Sequence, residues 1–250
     1  VSDFSNQYVL GFAAAICVVS SLALAGTHAA LKPTQDKNIE RDFQKDVLSA
    51  LGLPEDGHVP VGDEIDRLFA ERVGQVVIDP TSGAVVEGKG KTDVDAAWAA
   101  VKGTASVPAL LGVYTRKQGG TVEKYAMEVR GQGLWGPISG YLAVEPDGKT
   151  VGGTVFFAPS ETPGLGLEIT SAPFKAQWQG KQIVGPDGKA RPIKVAKGKA
   201  SEVCKGEESW CVDGISGATL TCRGVTNMVD AGVSMYDAFF QSVRSKAGAM

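Results

Sequence analysis

The chain has 250 residues, of which 32 are glycine and 12 proline, with 43% hydrophobic side chains, 21% charged side chains and a formal net charge of −3. Glycine at about 13% exceeds the usual value of about 7%, yet no G-X-Y period runs through the chain and Gly plus Pro stays below the low-complexity range, so a fibrous or disordered chain is excluded. The lack of a basic excess argues against a dedicated nucleic-acid binder. Two histidines, His28 and His58, are too few for a His-rich metal site, and the four cysteines, Cys17, Cys204, Cys211 and Cys222, contain no C-x-x-C for a zinc ribbon or an iron–sulfur centre.

Residues 4–31 carry no formally charged side chain, and Tyr8–Gly26 is almost wholly apolar. A spanning helix needs about 20 such residues, so this segment reads as a membrane anchor. The competing reading is a signal peptide with a small-x-small site at Ala23-Leu24-Ala25. It lacks a basic leading region, and the apolar run is long for such a segment. Only Asp3 precedes the span, whereas Lys32, Lys37, Arg41 and Lys45 follow it, mixed with Asp36, Glu40 and Asp42. The positive-inside rule thus leans weakly towards a cytoplasmic C-terminal bulk.

Beyond the span, Ile39, Phe43, Val47 and Leu51 recur at helical spacing, so residues 33–52 read as a separate helix with Pro33 at an early position and Gly52 as its C-cap. Glu64–Arg72 and Asp93–Lys102 are two further short helices, and Val76–Val86 is two β-type runs about a Pro-Thr-Ser-Gly turn. After residue 106 the texture becomes strands. Ala109–Tyr114 and Val122–Val129 form a hairpin closed at Gly119-Gly120. Tyr141–Val144 and Thr150–Phe157 form another, with Asp147-Gly148 read as a type I′ turn, and Asp187-Gly188 is read the same way. A closing helix from about Thr221 to Ser245 carries the stripe Val225, Val229, Val233, Tyr236 and Phe240. The fold class is α+β: an N-terminal transmembrane helix, then a soluble part with an antiparallel sheet and flanking helices. The expected division is an anchor over 1–31, a mixed helical and strand region over 32–105, and a ligand-binding domain over 106–250.

Three glycine-bearing segments stand out: Gly131–Gly136 (GQGLWG), Glu161–Gly166 (ETPGLG) and Asp213–Thr221 (DGISGATLT). Glycine lets a backbone approach a ligand closely. In the third, small residues precede Thr219 at the start of a helix, where backbone N–H groups stabilise a phosphate. A hydroxyl there is suited to bonding a phosphate or being esterified to one; the plainer reading is an N-cap. The segment is not G-x-S-x-G, and a serine hydrolase would have only His58 as its base. Glu161 is an acid/base candidate against the plainer reading of a solvated loop carboxylate. Trp135 offers an aromatic face, although tryptophan is more often core. Cys204 and Cys211 bracket a polar loop and pair only in an oxidising compartment.

Together these segments resemble a family. The order of a single span, A-L-K-P at Ala30–Pro33, G-x-G-L-W-G, E-T-P-G-L-G and D-x-x-S-G-A-T before a terminal helix is similar to the C subunit of the sodium-translocating NADH:quinone oxidoreductase, an FMN-binding domain family related to the G subunit of the Rnf complex. The resemblance implies that Thr219 carries FMN through a phosphoester, made from FAD by a separate flavin transferase. Asp213, Ser216, Gly217 and Ala218 form the surrounding motif, with Leu220 beside it and Thr221 as the alternative attachment site. Glu161, Thr162, Pro163, Gly164, Leu165 and Gly166 are expected beside the flavin, and Leu134 and Trp135 near the same pocket. No catalytic acid or base and no metal is implied. The implied function is electron relay from NADH towards quinone, coupled to sodium export, in a multi-subunit complex of the bacterial inner membrane. The soluble domain is then periplasmic. That opposes the charge lean and is preferred, because acids dilute the basic residues. An Rnf-type electron-transport subunit and a membrane-anchored assembly module without flavin are the alternatives.

Overall fold

The computed structural model describes residues 5–101 and 107–247. Asp3, Lys102 and the expected boundary at residues 105 and 106 lie outside the described residues. The chain separates into two units, one up to Phe43 and one from Gln44 onward.

The first unit is nearly all one helix. α1 runs unbroken over Asn6–Leu51 with Pro33 inside it. This corrects the expectation of a separate helix beginning at Pro33. Proline forfeits one intrahelical hydrogen bond and crowds the preceding turn. The stretches on either side, Thr27–Lys32 and Thr34–Leu51, contain no glycine and are rich in Ala, Leu and Lys, so propagation continues through the single defect. The N-terminal part of α1 is long and apolar enough to cross a membrane, with Leu10, Val19, Leu22 and Leu24 all exposed.

The second unit is built on a five-stranded antiparallel meander: β1 (Val73–Ile78), β2 (Leu111–Gln118), β3 (Thr121–Gln132), β4 (Pro137–Val144) and β5 (Val151–Phe157), paired in that order. α2 (Asp63–Arg72) leads into β1, and α3 (Lys91–Ala100) lies between β1 and β2 in sequence. Side chains alternate across a strand, and β3 shows the result. Tyr125 meets Phe239 and Phe240 edge to face. On the opposite face, Arg130 lies 4.5 Å from the Trp98 ring of α3.

The closing helix, α6 (Thr219–Ala247), begins two residues earlier than expected and packs its stripe Val225, Val229, Val233, Tyr236 and Phe240 against the sheet. Each fully buried side chain of this kind contributes roughly 1.5–3 kcal/mol. Close approach of helix and strand depends on two glycines. A Cβ on Gly131 would stand 2.6 Å from Cβ of Met228, and one on Gly232 would run into the side chain of Val129.

Gly119 and Gly120 both have positive φ and close the β2–β3 hairpin as expected. The other two turns differ. Only Gly148 and Gly188 have positive φ, not Asp147 or Asp187, whereas a type I′ turn needs two such residues. Pro146 and Pro186 set the first central position of type I turns, closed by Gly148 N–H to Glu145 O and Gly188 N–H to Gly185 O at 3.0 Å each. Asp147 and Asp187 then accept the N–H groups of Lys149 and Lys189. The physical cause is the proline before each Asp-Gly pair.

Between β5 and α6 in sequence come α4 (Ala172–Ala176), which packs on β5, β6 (Lys194–Val195), which packs on α6, α5 (Ala200–Val203) and β7 (Cys211–Val212). β6 and β7 pair in parallel. Cys204 at the end of α5 is disulfide-bonded to Cys211.

Candidate functional site

The three glycine-bearing segments converge on the start of α6. Gly133–Gly136 is the tip of the β3–β4 hairpin, closed by Gly133 N–H to Gly136 O at 2.8 Å. It thrusts Leu134 and Trp135 outward. Trp135 is 68% exposed, so the plainer alternative of a core tryptophan does not apply to it. The Glu161–Gly166 loop follows β5 and folds on itself through Leu165 N–H and Leu167 N–H, both donated to Thr162 O at 3.1 Å. Thr162, Pro163, Gly164 and Leu165 are exposed, and Glu161 and Gly166 are buried.

Glu161 is the joint between these loops. Its Oε1 accepts the backbone N–H of Trp135 at 2.9 Å, and its Oε2 accepts the hydroxyl of Thr221 at 2.7 Å. It is 5% exposed, so the solvated-carboxylate reading is corrected as well. Burial of a carboxylate is tolerated because fixed donors meet both oxygens. Gly133 and Gly166 make room for it, since a Cβ on either would run into its carboxylate.

The third segment crosses from β7 to α6. Asp213 Oδ1 accepts the N–H of Ala200 at 2.7 Å, and Asp213 N–H donates to Oε1 of Gln177 at 2.7 Å. Gly214 N–H donates to Gly198 O at 2.8 Å. Gly217 has φ +77°, a conformation costly for any residue with a Cβ, and its α-carbon faces Leu165. Ala218 is buried behind it, and Ala218 O accepts Cys222 N–H, the first bond of the helical ladder. Burial pushes the Cys222 thiol up, and a hydrogen bond from Ile215 N–H at 3.5 Å pulls the other way.

Two threonines two residues apart therefore differ in kind. Thr219, the first residue of α6, is exposed, and its hydroxyl makes no hydrogen bond among the described residues. Thr221 is 1% exposed and committed to Glu161.

Thr219 lines a cavity of about 890 Å³ together with Asp213, Ser216, Gly217 and Leu220. The opposite wall is the β6–α5 connection, which brings in Lys194, Lys197 and Lys199, and Arg223 comes from the first turns of α6. None of these four cations was anticipated from the sequence. The only local signal is the run K-V-A-K-G-K at 194–199, which reads as ordinary surface until β6 pairs with β7. Leu134, Trp135 and residues 161–166 do not line this cavity. They form a second group beside it, joined through the Leu165–Gly217 contact and the Glu161–Thr221 bond. No metal-binding cluster occurs among the described residues.

The site fits a flavin nucleotide. A free hydroxyl and the unpaired N–H groups of a helix start suit a phosphate. The exposed Leu134, Trp135, Leu165 and Leu220 offer apolar cover for a ring system.

Comparison with known proteins agrees. Residues 133–234 match the FMN-binding domain family. Fold and site thus define an FMN-binding α+β protein that carries a long apolar N-terminal helix. Over 96% of its length the chain is 34% identical to the C subunit of the Na(+)-translocating NADH-quinone reductase of Pseudomonas aeruginosa, covering 97% of that protein. It is 32% identical to the corresponding protein of Vibrio vulnificus over 92% of this chain and 91% of that one. The crystal structure of the corresponding protein from Parabacteroides distasonis matches with a TM-score of 0.70 at 30% identity, over 84% of this chain and 96% of that chain. The Shewanella oneidensis NqrC structure matches at 0.67 and 29%, over 82% and 99%. The chain belongs to the NqrC family, the C subunits of the Na(+)-translocating NADH-quinone reductase.

Proposed function

We propose that Thr219 carries FMN as a phosphoester and that the chain relays electrons from NADH towards quinone within a multi-subunit membrane complex that exports sodium. One observation carries the assignment to Thr219. Its hydroxyl is free and faces the cavity, whereas that of Thr221 is sealed in a hydrogen bond with Glu161. Of the two threonines in the motif, only the first is open to esterification by a flavin transferase.

The chain's own groups then have separate tasks. The first-turn N–H groups of α6, the helix dipole and the nearby cations offset the remaining phosphate charge. Asp213, capping α5, holds the S-G-A-T turn in place. Glu161 fixes the hairpin tip and the helix start relative to each other. Leu134, Trp135, Leu165 and Leu220 cover apolar ring surface. Bound there, FMN supplies the redox chemistry. The absence of any catalytic acid, base or metal in this reading is in keeping with a relay.

α1 serves in this reading as a single-pass anchor in the inner membrane, with the soluble domain in the periplasm. The Cys204–Cys211 disulfide supports an oxidising compartment.

The test is fluorescence of the full chain on a denaturing gel after production with a flavin transferase. The wild-type and Thr221→Val chains are expected to fluoresce under ultraviolet light and Thr219→Ala to be dark, with the flavin mass on the Thr219 peptide. A dark wild-type band, or a fluorescent Thr219→Ala band, overturns the assignment.

A further inference from the structure

A second cavity, of about 790 Å³, lies at the other end of α6, roughly 30–40 Å along the helix from Thr219. The flavin reading leaves it unused. Its walls are β1, β2 and β3, the loop at residues 82–85 and the last turns of α6. Its volume suits a small organic molecule.

Strand register divides it into two zones. Directly paired residues of neighbouring strands point to the same face. Gly74 of β1 pairs with Thr115 of β2, and Thr115 with Tyr125 of β3, so these three form one row. The next row along the strands is Val76, Val113 and Met127, which is wholly apolar. Phe239 and Val243 of α6 line the same space.

The first row carries a cation. Gly74 has no side chain, and Lys117 uses the room: a Cβ at Gly74 would stand 2.5 Å from Lys117 Nζ and 2.7 Å from Thr115 Oγ1. The ammonium is thus laid across β1 beside the row. Lys246, in the last turn of α6, supplies a second cation to the same cavity. Neither lysine makes an ion pair among the described residues. No Asp or Glu is among the described lining residues. The acids next to lining residues in sequence are engaged elsewhere: Glu123 with Arg116, Glu145 with Lys124, and Asp147 with Thr150. The C-terminal dipole of α6 opposes the lysines with only about half a negative charge. The cavity therefore favours an anion.

The interior says what the anion is attached to. The hydroxyl of Thr115 donates to Gly74 O, that of Ser242 donates to Phe239 O, and that of Ser82 accepts Ala84 N–H. With these spent on the backbone, a peptide entering the cavity would leave its own N–H and C=O groups unpaired. An alkyl chain has no such groups. Tyr125 is different: its ring is held edge to face by Phe239 and Phe240, and its hydroxyl makes no hydrogen bond among the described residues.

We propose that this cavity binds a fatty acid, with the carboxylate held by Lys117, Lys246 and the Tyr125 hydroxyl and the alkyl chain laid along Val76, Phe239 and Val243. Binding is reversible and no covalent bond changes. The site owes nothing to the flavin reading and stands or falls apart from it.

The test uses the full chain in lipid nanodiscs and a twelve-carbon fatty acid bearing a diazirine. After illumination, labelled peptides are quantified by mass spectrometry. The apolar part of α1 meets probe dissolved in the bilayer and serves as the internal reference. Peptides from β3 and the last turns of α6 are expected to be labelled. Excess dodecanoate is expected to suppress that labelling about tenfold more than dodecanol does, with no such difference on α1. Lys117→Glu/Lys246→Glu is expected to lower cavity labelling about tenfold relative to α1, and Tyr125→Phe about threefold. Lys117→Gln/Lys246→Gln, expected to act in the same direction, decides the matter if charge reversal unfolds the chain. Equal suppression by dodecanol, or cavity labelling that survives both lysine pairs, overturns the proposal. Stronger suppression by lysophosphatidic acid than by dodecanoate assigns a phosphate head and overturns the fatty acid. Loss of cavity labelling in the assembled complex, with α1 still labelled, gives the cavity to a partner subunit and overturns it as well.

Discussion

The hydroxyl of Thr221 donates to Oε2 of Glu161 at 2.7 Å, and both side chains are buried, 1% and 5% exposed. With Trp135 N–H on the other carboxylate oxygen, one side chain ties three segments that are far apart in sequence. Glu161 is thus a positioning residue, and its removal has a calculable cost. Glu161→Ala strands one buried donor, the Thr221 hydroxyl, at about 1–3 kcal/mol, and one half-buried donor, Trp135 N–H, at less, so a loss of about 2–3 kcal/mol is expected in urea unfolding. Glu161→Gln keeps one acceptor and is expected to lose about half as much. Flavin loading is expected to fall in both, although Thr219 is intact. An Ala variant as stable as wild type would show that the bonds carry no weight.

The glycines of the same loop separate two causes of intolerance. At Gly166 a Cβ would collide with the Glu161 carboxylate and stand 2.7 Å from Oγ1 of Thr221. At Gly164 the space is open, but φ is +73°. Gly166→Ala is expected to cost about 1–3 kcal/mol through overpacking and to reduce flavin loading, because the joint itself shifts. Gly164→Ala is expected to cost about 1–2 kcal/mol through backbone strain and to leave loading near wild type. The comparison is read by thermal unfolding and gel fluorescence on the same samples.

What the sequence shows and what it hides follow one physical division. The α6 stripe, the Gly119-Gly120 turn and the apolar span are local patterns, legible because period and turn chemistry lie within a few residues. Thr219 is legible only through its motif, since any Thr before a helix also reads as a cap. The burial of Glu161 has no local signal: its partners lie 26 and 60 residues away. The basic wall is hidden for the same reason, because Lys197 and Lys199 face Thr219 only once β6 lies beside β7. The exposure of Trp135 is legible only through its motif. A large aromatic residue suggests core, whereas the two-residue tip between Gly133 and Gly136 leaves it no core to reach.

His58 gives a pH signature outside the site. Its Nδ1 lies 2.7 Å from Asp56 Oδ1 and its Nε2 lies 3.1 Å from Glu64 Oε1. The hydrogen bond with Asp56, then that with Glu64, raises the His58 pKa above its ordinary value, and the same contact lowers that of Asp56. A raised folded-state pKa means that the contribution to stability is fully present below the unfolded value of about 6.5 and is lost as pH rises through the folded value. The ring resonances of His58 are expected to titrate with a midpoint above 6.5, and Asp56→Asn to move it down. A wild-type midpoint at or below 6.5 excludes both contacts in solution.

The disulfide acts on the cavity wall from outside it. Cys204 and Cys211 are seven residues apart and join the end of α5 to β7, while Asp213, two residues past Cys211, caps the start of α5. The wall that carries Lys197 and Lys199 is thus fastened at both ends of one short helix. Closing so small a loop contributes roughly 2–2.5 kcal/mol through the unfolded chain. For a domain of this size each kcal/mol moves the melting temperature by about 2–4 °C, so reduction, or Cys204→Ser/Cys211→Ser, is expected to lower it by about 4–10 °C. The double serine variant is also expected to take up flavin more slowly, since the Asp213 cap alone then holds the wall beside Thr219. Adding Asp213→Ala to that variant removes the second fastening, and loading should fall by more than the product of the two separate effects. Strictly multiplicative losses would mean that the two fastenings act on different parts of the site.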